Sequence, residues 1–111
     1  MTPAEALARR AVAAGLVPVG VISSYNRDSR GVLWLRGRDM AHLPDLEDAA
    51  TLGCLLAIVR EAWGEPEAST TAGAGYDGFW GWWAFAGGKQ FEGTTEAEAL
   101  VAALEAAPVR R

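Results

Sequence analysis

The chain has 111 residues, half of them hydrophobic, with a formal net charge of −4 and one cysteine. This length predicts a single domain over residues 1–111, and no run of about 18 apolar residues is present to span a membrane. A lone cysteine cannot form an internal disulfide, which favours the cytoplasm, and the acidic balance argues against general nucleic-acid binding.

The first predicted element is a helix that runs from Pro3 to Ala14. Thr2 and Glu5 have the spacing of a capping box, and Pro3 occupies the first helical position. Gly15 ends the helix. Charged residues interrupt this segment, so we expect no signal peptide here.

A β-hairpin is predicted next. Valine and isoleucine dominate residues 16–25, residues 26–31 are rich in turn formers, and residues 32–35 form a second short strand. Residues 36–44 are predicted to be a loop.

The best helical pattern of the chain covers residues 48–64. Asp48 is placed to cap the first turn, Gly64 suits the C′ position and Pro66 prevents continuation. The apolar face consists of Leu52, Leu55, Leu56, Val59, Ala62 and Trp63. We expect the sheet to lie on this helix.

The second half of the chain predicts another hairpin and a third helix. Residues 68–71 have weak strand character, which nearby glycines reduce. Residues 79–86 (FWGWWAFA) form a strand with two apolar faces, Gly87-Gly88 is a tight turn, and residues 89–92 return. Thr95 and Glu98 form a second capping box, which opens a helix that Pro108 stops. Its inward residues are Leu100, Val101 and Leu104.

These elements predict an α/β (α+β) fold in the order α-β-β-α-β-β-α, with a short, mainly antiparallel sheet flanked by helices.

Three motifs that could carry chemistry have simpler explanations. Residues 73–78 match G-x-G-x-x-G, but a strand follows where a dinucleotide site needs a helix, so we favour a loop. A nucleophilic pair of His42 and Cys54 needs an orienting group such as Asp45, but Cys54 is predicted in the middle of a helix, where it is better explained as a small buried hydrophobe. Asp45, Glu47 and Asp48, with Glu65 and Glu67 beyond the helix, could supply oxygen ligands to a cation, but their spacing matches no known loop and helix capping explains residues 45–48 more simply. We therefore expect no catalytic set, metal or cofactor.

The compositional excess is five tryptophans. Large rings fill the core of a small domain, but exposed rings mark interfaces, and both interpretations stay open. Charge is also uneven: residues 1–44 carry a net +3 and residues 45–111 a net −7. This indicates either solvated faces of opposite sign or a site for a charged partner. The candidate interface residues are Trp80, Trp82, Trp83, Arg27, Arg30, Arg36 and Arg38.

Residues 48–56 (DAATLGCLL) and 60–63 (REAW), together with residues 95–104 (TEAEALVAAL) after a Trp-containing strand, resemble small uncharacterised phage and prophage proteins of the phage ABA-sandwich type. The resemblance implies helices flanking a short sheet and lends no catalytic residues.

The leading hypothesis is a phage-derived accessory protein, not an enzyme, that binds a host or phage protein stoichiometrically. Inhibition of a host defence system, in the anti-CRISPR manner, is one concrete form, and a homodimer through strand edges or the aromatic face is compatible with it. The alternative is a small-molecule or nucleotide-binding module that uses the loop from Gly73 to Gly78 and the aromatic strand as a stacking wall.

Overall fold

The computed structural model describes residues 2–16, 26–27, 33–36, 42–74 and 80–108. Helices and antiparallel strands alternate along these segments, which confirms the α+β class. Contacts between residues divide the chain into two compact units, residues 1–54 and residues 55–111.

The first unit begins with helix α1 (Pro3–Ala14), whose N-cap and end are as predicted. The Thr2 hydroxyl accepts a hydrogen bond from a backbone N–H of the first turn at 3.1 Å. Gly15 adopts φ +129°, which L side chains rarely reach, and the Leu16 N–H bonds back to the Ala11 carbonyl at 2.9 Å. Leu16 and Ala11 are both fully buried, so an apolar contact accompanies this helix end.

A three-stranded antiparallel sheet follows, with strands β1 (Asn26–Arg27), β2 (Leu33–Arg36) and β3 (His42–Pro44) in the order β1-β2-β3. Residues 26–27 were predicted to start a turn but form β1, so the turn prediction is wrong there. Residue 36 and residues 42–44 were predicted to lie in a loop but belong to β2 and β3, so the loop prediction is wrong at both ends. Strand β3 is three residues long, too short for an alternating pattern, and its pairing with β2 makes it a strand. Of the predicted strand 16–25, residues 17–25 lie outside the described residues.

Helix α2 (Ala49–Trp63) has the predicted bounds and caps. The Asp48 carboxylate accepts hydrogen bonds from the Thr51 N–H and hydroxyl, both at 2.9 Å, and Gly64 ends the helix with φ +65°. The fully buried side chains of this helix are Thr51, Leu55 and Val59.

The second unit contains a second antiparallel sheet of strands β4 (Ser69–Ala74), β5 (Trp80–Ala86) and β6 (Lys89–Gly93), with β5 in the middle. The Gly87-Gly88 turn is confirmed, since both residues have positive φ, +61° and +74°. Strand β4 is longer than the weak 68–71 prediction and was left out of the predicted order. The observed order is α-β-β-β-α-β-β-β-α.

Helix α3 (Glu96–Glu105) covers one face of this second sheet, whereas the apolar pattern of the sequence favours α2 for that place. The predicted capping box is complete, with Thr95 and Glu98 each bonding the other's backbone N–H. The linker between β6 and α3 is only two residues long, so α3 folds directly back over its own hairpin. This short connection is the physical reason why α3, and not α2, covers that face of the sheet.

The strand register shows which residues face α3. The Thr70 hydroxyl donates a hydrogen bond to Glu96 at 2.8 Å, and Thr70 lies opposite Ala84, which lies opposite Phe91. Residues directly opposite each other share a face, so Trp80, Trp82, Ala84 and Ala86 form the helix side of β5. Trp83 and Phe85, both half-buried, lie on the other side. Strand β5 therefore has two apolar faces, as predicted.

The closest approach of sheet and helix predicts the effect of Gly93→Ala. A Cβ atom at Gly93 would lie 2.6 Å from the Glu98 Cβ and 2.7 Å from the Ala99 backbone nitrogen. Backbone cannot yield cheaply, so we expect a loss of about 2–3 kcal/mol in the free energy of unfolding, measured by chemical denaturation. The control Gly73→Ala, where a Cβ meets open space, should change it by less than about 1 kcal/mol. Equal losses in the two variants would contradict the packing described.

The turn residues give a second prediction. At Gly87 an added Cβ would meet the Trp63 ring, 2.6 Å from its Cε3 atom, in addition to the strain of a positive φ. At Gly88 only the φ penalty applies, because nothing lies within 4 Å. Gly87→Ala should therefore lower the melting temperature clearly more than Gly88→Ala, whose cost is about 1–2 kcal/mol. The reverse order would contradict the placement of Trp63 under the turn.

Candidate protein interface

Trp80 is the large hydrophobic side chain that the described residues leave most open, with 75% of its surface exposed. It begins β5 and lies opposite Ala74, the last residue of β4. The next pair on the same face is Trp82 with Ala72. Ala72 and Ala74 are exposed and Trp82 is half-buried. These four residues form one apolar surface, called the Trp80 surface below.

The exposure of Trp80 follows from where β6 and α3 end. Strand β6 pairs with β5 only as far as Gly93, which lies opposite Trp82, so Trp80 extends past it. The first turn of α3 lies at the same level as Gly93, since a Cβ atom added at Gly93 would touch Glu98 and Ala99. Helix and strand both stop short of Trp80.

The far end of α3 lies at the opposite end of the hairpin. The Trp63 indole N–H donates to the Ala103 carbonyl at 2.8 Å, and the Trp63 ring lies against Gly87 and Phe91, 6.0 Å between the Trp63 and Phe91 centroids. Helix α3 thus runs from the level of Gly93 to the turn. Helix α3 therefore does not reach the start of β5.

The three predicted interface tryptophans do not share one face. The alternation of β5 puts Trp80 and Trp82 on the helix side and Trp83 on the other. Trp83 and Trp82 are half-buried, and Trp80 is exposed. The structure therefore brings two of the three rings to one surface.

The four predicted interface arginines belong to the first unit. Arg27 lies in β1 opposite Leu33, and Arg36 lies in β2 opposite His42. Arg30 and Arg38 lie outside the described residues.

The glycine motif at 73–78 begins inside strand β4. Gly73 pairs with Gly81, Ala74 follows in the same strand, and residues 75–78 lie outside the described residues. The motif therefore lies between two strands, whereas a dinucleotide-binding motif is followed by a helix.

The other candidate groups of the sequence have structural roles or no described cluster. Asp48 caps α2, as predicted, whereas Asp45 accepts the Glu47 N–H at 3.1 Å in the turn that precedes the helix. Cys54 is half-buried within α2. Within the described ranges no three His, Cys, Asp or Glu side chains are grouped so as to hold a metal ion.

Sequence reasoning gave residues 68–71 weak strand character but missed Ala72 and Ala74, the part of edge strand β4 that belongs to the Trp80 surface. Four of its six residues are exposed, Ser69 and Thr71 on one face and Ala72 and Ala74 on the other. Its sequence STTAGA has no large apolar residue, so no alternation of large and polar side chains marked it. The β-branched pair at 70–71 was the available signal.

Comparison with protein-family models, curated proteins and solved structures finds no match to this chain. Among the helices that the structure describes, the longest has 15 residues, and none is both long and apolar enough to cross a membrane.

The different exposures of two rings on one face predict different stabilities. Trp80→Ala removes a ring that is already in water, so we expect the free energy of unfolding to change by less than about 0.5 kcal/mol. Trp82→Ala removes half-buried contacts at the N-terminal end of α3 and should cost about 2 kcal/mol or more. Urea denaturation of the two variants measures both, and a large loss for Trp80→Ala would contradict its exposure.

Proposed function

We propose that this protein acts by stoichiometric binding to another protein through the Trp80 surface. The single observation that supports this is the open indole of Trp80, held on a paired strand beside the short side chains of Ala72 and Ala74. Tryptophan is among the residues most enriched at binding hot spots, because a rigid ring buries much area at a small cost in entropy. A ring on a strand loses little freedom on binding.

The charge of the second unit favours a partner with a basic surface. In the sequence, residues 55–111 carry four basic and eight acidic side chains. Two of the acids, Glu96 and Glu98, lie in the first turn of α3, near the level where the Trp80 surface begins. Complementary charge raises the rate of encounter and suppresses wrong partners.

The resemblance to phage and prophage proteins supports a phage-derived origin for such a binding protein. The partner would be a host or phage protein in the cytoplasm, and inhibition of a host defence system would be the consequence of occupying it. No reaction chemistry is needed for that role, since a stoichiometric inhibitor acts by covering a surface.

The test is affinity capture from the native host with three forms of the full chain: unchanged, Trp80→Ala and Gln90→Ala. Gln90 is exposed near the turn end of the sheet and serves as the matched control. We expect the unchanged chain and Gln90→Ala to retain the same protein in a fixed molar ratio. Trp80→Ala should bind it at least about 30-fold more weakly, as loss of a hot spot does.

Retention by Trp80→Ala equal to that of the unchanged chain would overturn the proposal. So would the absence of any protein held in a fixed ratio.

A further inference from the structure

Strand β4 forms one edge of the second sheet among the described strands, and we call this edge unguarded because its residues include neither a charged side chain nor a proline. Within the described residues β4 pairs with β5 alone, and its sequence STTAGA contains no charge and no proline. The opposite edge strand of the same sheet, β6, carries Lys89 and Glu92, both exposed. Charged residues of that kind are how proteins keep an edge from pairing with another chain. The two edges of this sheet are therefore not equivalent.

The unguarded edge adjoins the Trp80 surface. A strand added to β4 would lie about 4.8 Å from it, with every second side chain on the face that carries α3. On that face β4 presents Thr70, Ala72 and Ala74. The side chains of Ala72 and Ala74 are short, so a large side chain on the added strand reaches over Ala74 to the exposed Trp80 ring.

The other end of the same row is acidic. Thr70 is hydrogen-bonded to the Glu96 carboxylate, which is half-buried, and Glu67, exposed, precedes the strand. A basic side chain on an added strand opposite Thr70 would meet the Glu96 carboxylate. Thr70 and Ala74 are four residues apart, so the matching basic and apolar residues of the added strand are also four apart.

We infer that the partner binds by adding an extended segment to the edge of β4, with a Lys or Arg opposite Thr70 and a large apolar residue four positions away, against Trp80. This mode is β-strand addition, in which main-chain hydrogen bonds supply affinity and alternate side chains supply specificity. The inference rests on the proposed function and names the chemistry of the partner.

A second copy of this chain is a poorer occupant of the edge. Strand β4 itself has no basic residue to place opposite Thr70 and no large apolar residue to place against Trp80. Two copies would also bring together two units that each carry the same acidic excess over the described residues. Charge complementarity thus favours a different protein.

The experiment uses the full chain and labelled nine-residue peptides of threonine that contain one lysine and one phenylalanine four positions apart. A matched peptide has glutamate in place of the lysine. Two further peptides carry N-methyl groups on alternate residues, one along each edge. Fluorescence anisotropy measures each affinity.

We expect the lysine peptide to bind at least about 10-fold more tightly than the glutamate peptide. N-methylation along one edge should abolish binding and along the other leave it unchanged, because a strand uses only one edge to pair. Trp80→Ala should weaken binding, Gln90→Ala should not, and Glu96→Gln should reduce the preference for lysine.

Three results would overturn the inference. The first is that none of the peptides binds at millimolar concentration, and the second is that the two N-methylation patterns affect binding equally. The third is that sedimentation shows the unchanged chain to be a dimer and the Ala72→Lys variant to be a monomer. If these occur while capture of a host protein still depends on Trp80, the strand-addition mode falls and the proposed function stands. Loss of the Trp80 dependence in capture removes the proposed function itself.

Discussion

The close approach of α3 to β6 at Gly93 is the constraint on which the second unit depends. Two residues connect the strand to the helix, so the chain must reverse at once, and only a residue without a Cβ fits against Glu98 and Ala99. The Glu98 carboxylate completes the reversal by accepting hydrogen bonds from the backbone N–H groups of Thr94 and Thr95 and from the Thr94 hydroxyl. The helix therefore starts at a set level along the sheet.

Trp63 holds the other end of the same helix. Its indole N–H satisfies the Ala103 carbonyl in the last turn of α3, while its ring packs on Phe91 and beneath the turn at Gly87. Glu65 also accepts the Gly87 N–H, so the end of α2 is tied to the hairpin twice. A side chain from the preceding helix thereby orients both the hairpin and the helix that covers it.

This arrangement gives the rings of one aromatic strand different environments. Trp82 lies on the face that carries α3 and Trp83 on the opposite face, and both are half-buried. Trp80 lies beyond the pair of Trp82 with Gly93, where β6 ends, and is exposed to water. The strand is continuous, so the ladder with β4 holds Trp80 in place although α3 does not reach it. An anchored, exposed ring beside an unguarded edge is the combination from which the binding proposal follows.

Local signals in the sequence determined each helix that the structure describes and the tight turn at Gly87-Gly88. The caps at Thr2, Asp48 and Thr95 and the glycines that end α1 and α2 act within a few residues of the chain, so their chemistry is legible without the fold. The tertiary structure alone decided that β3 pairs with β2 and that β4 pairs with β5. It also decided that α3 covers the second sheet and that Trp80 is exposed. Those features depend on which distant segments meet and where each one ends, and neither composition nor periodicity encodes that.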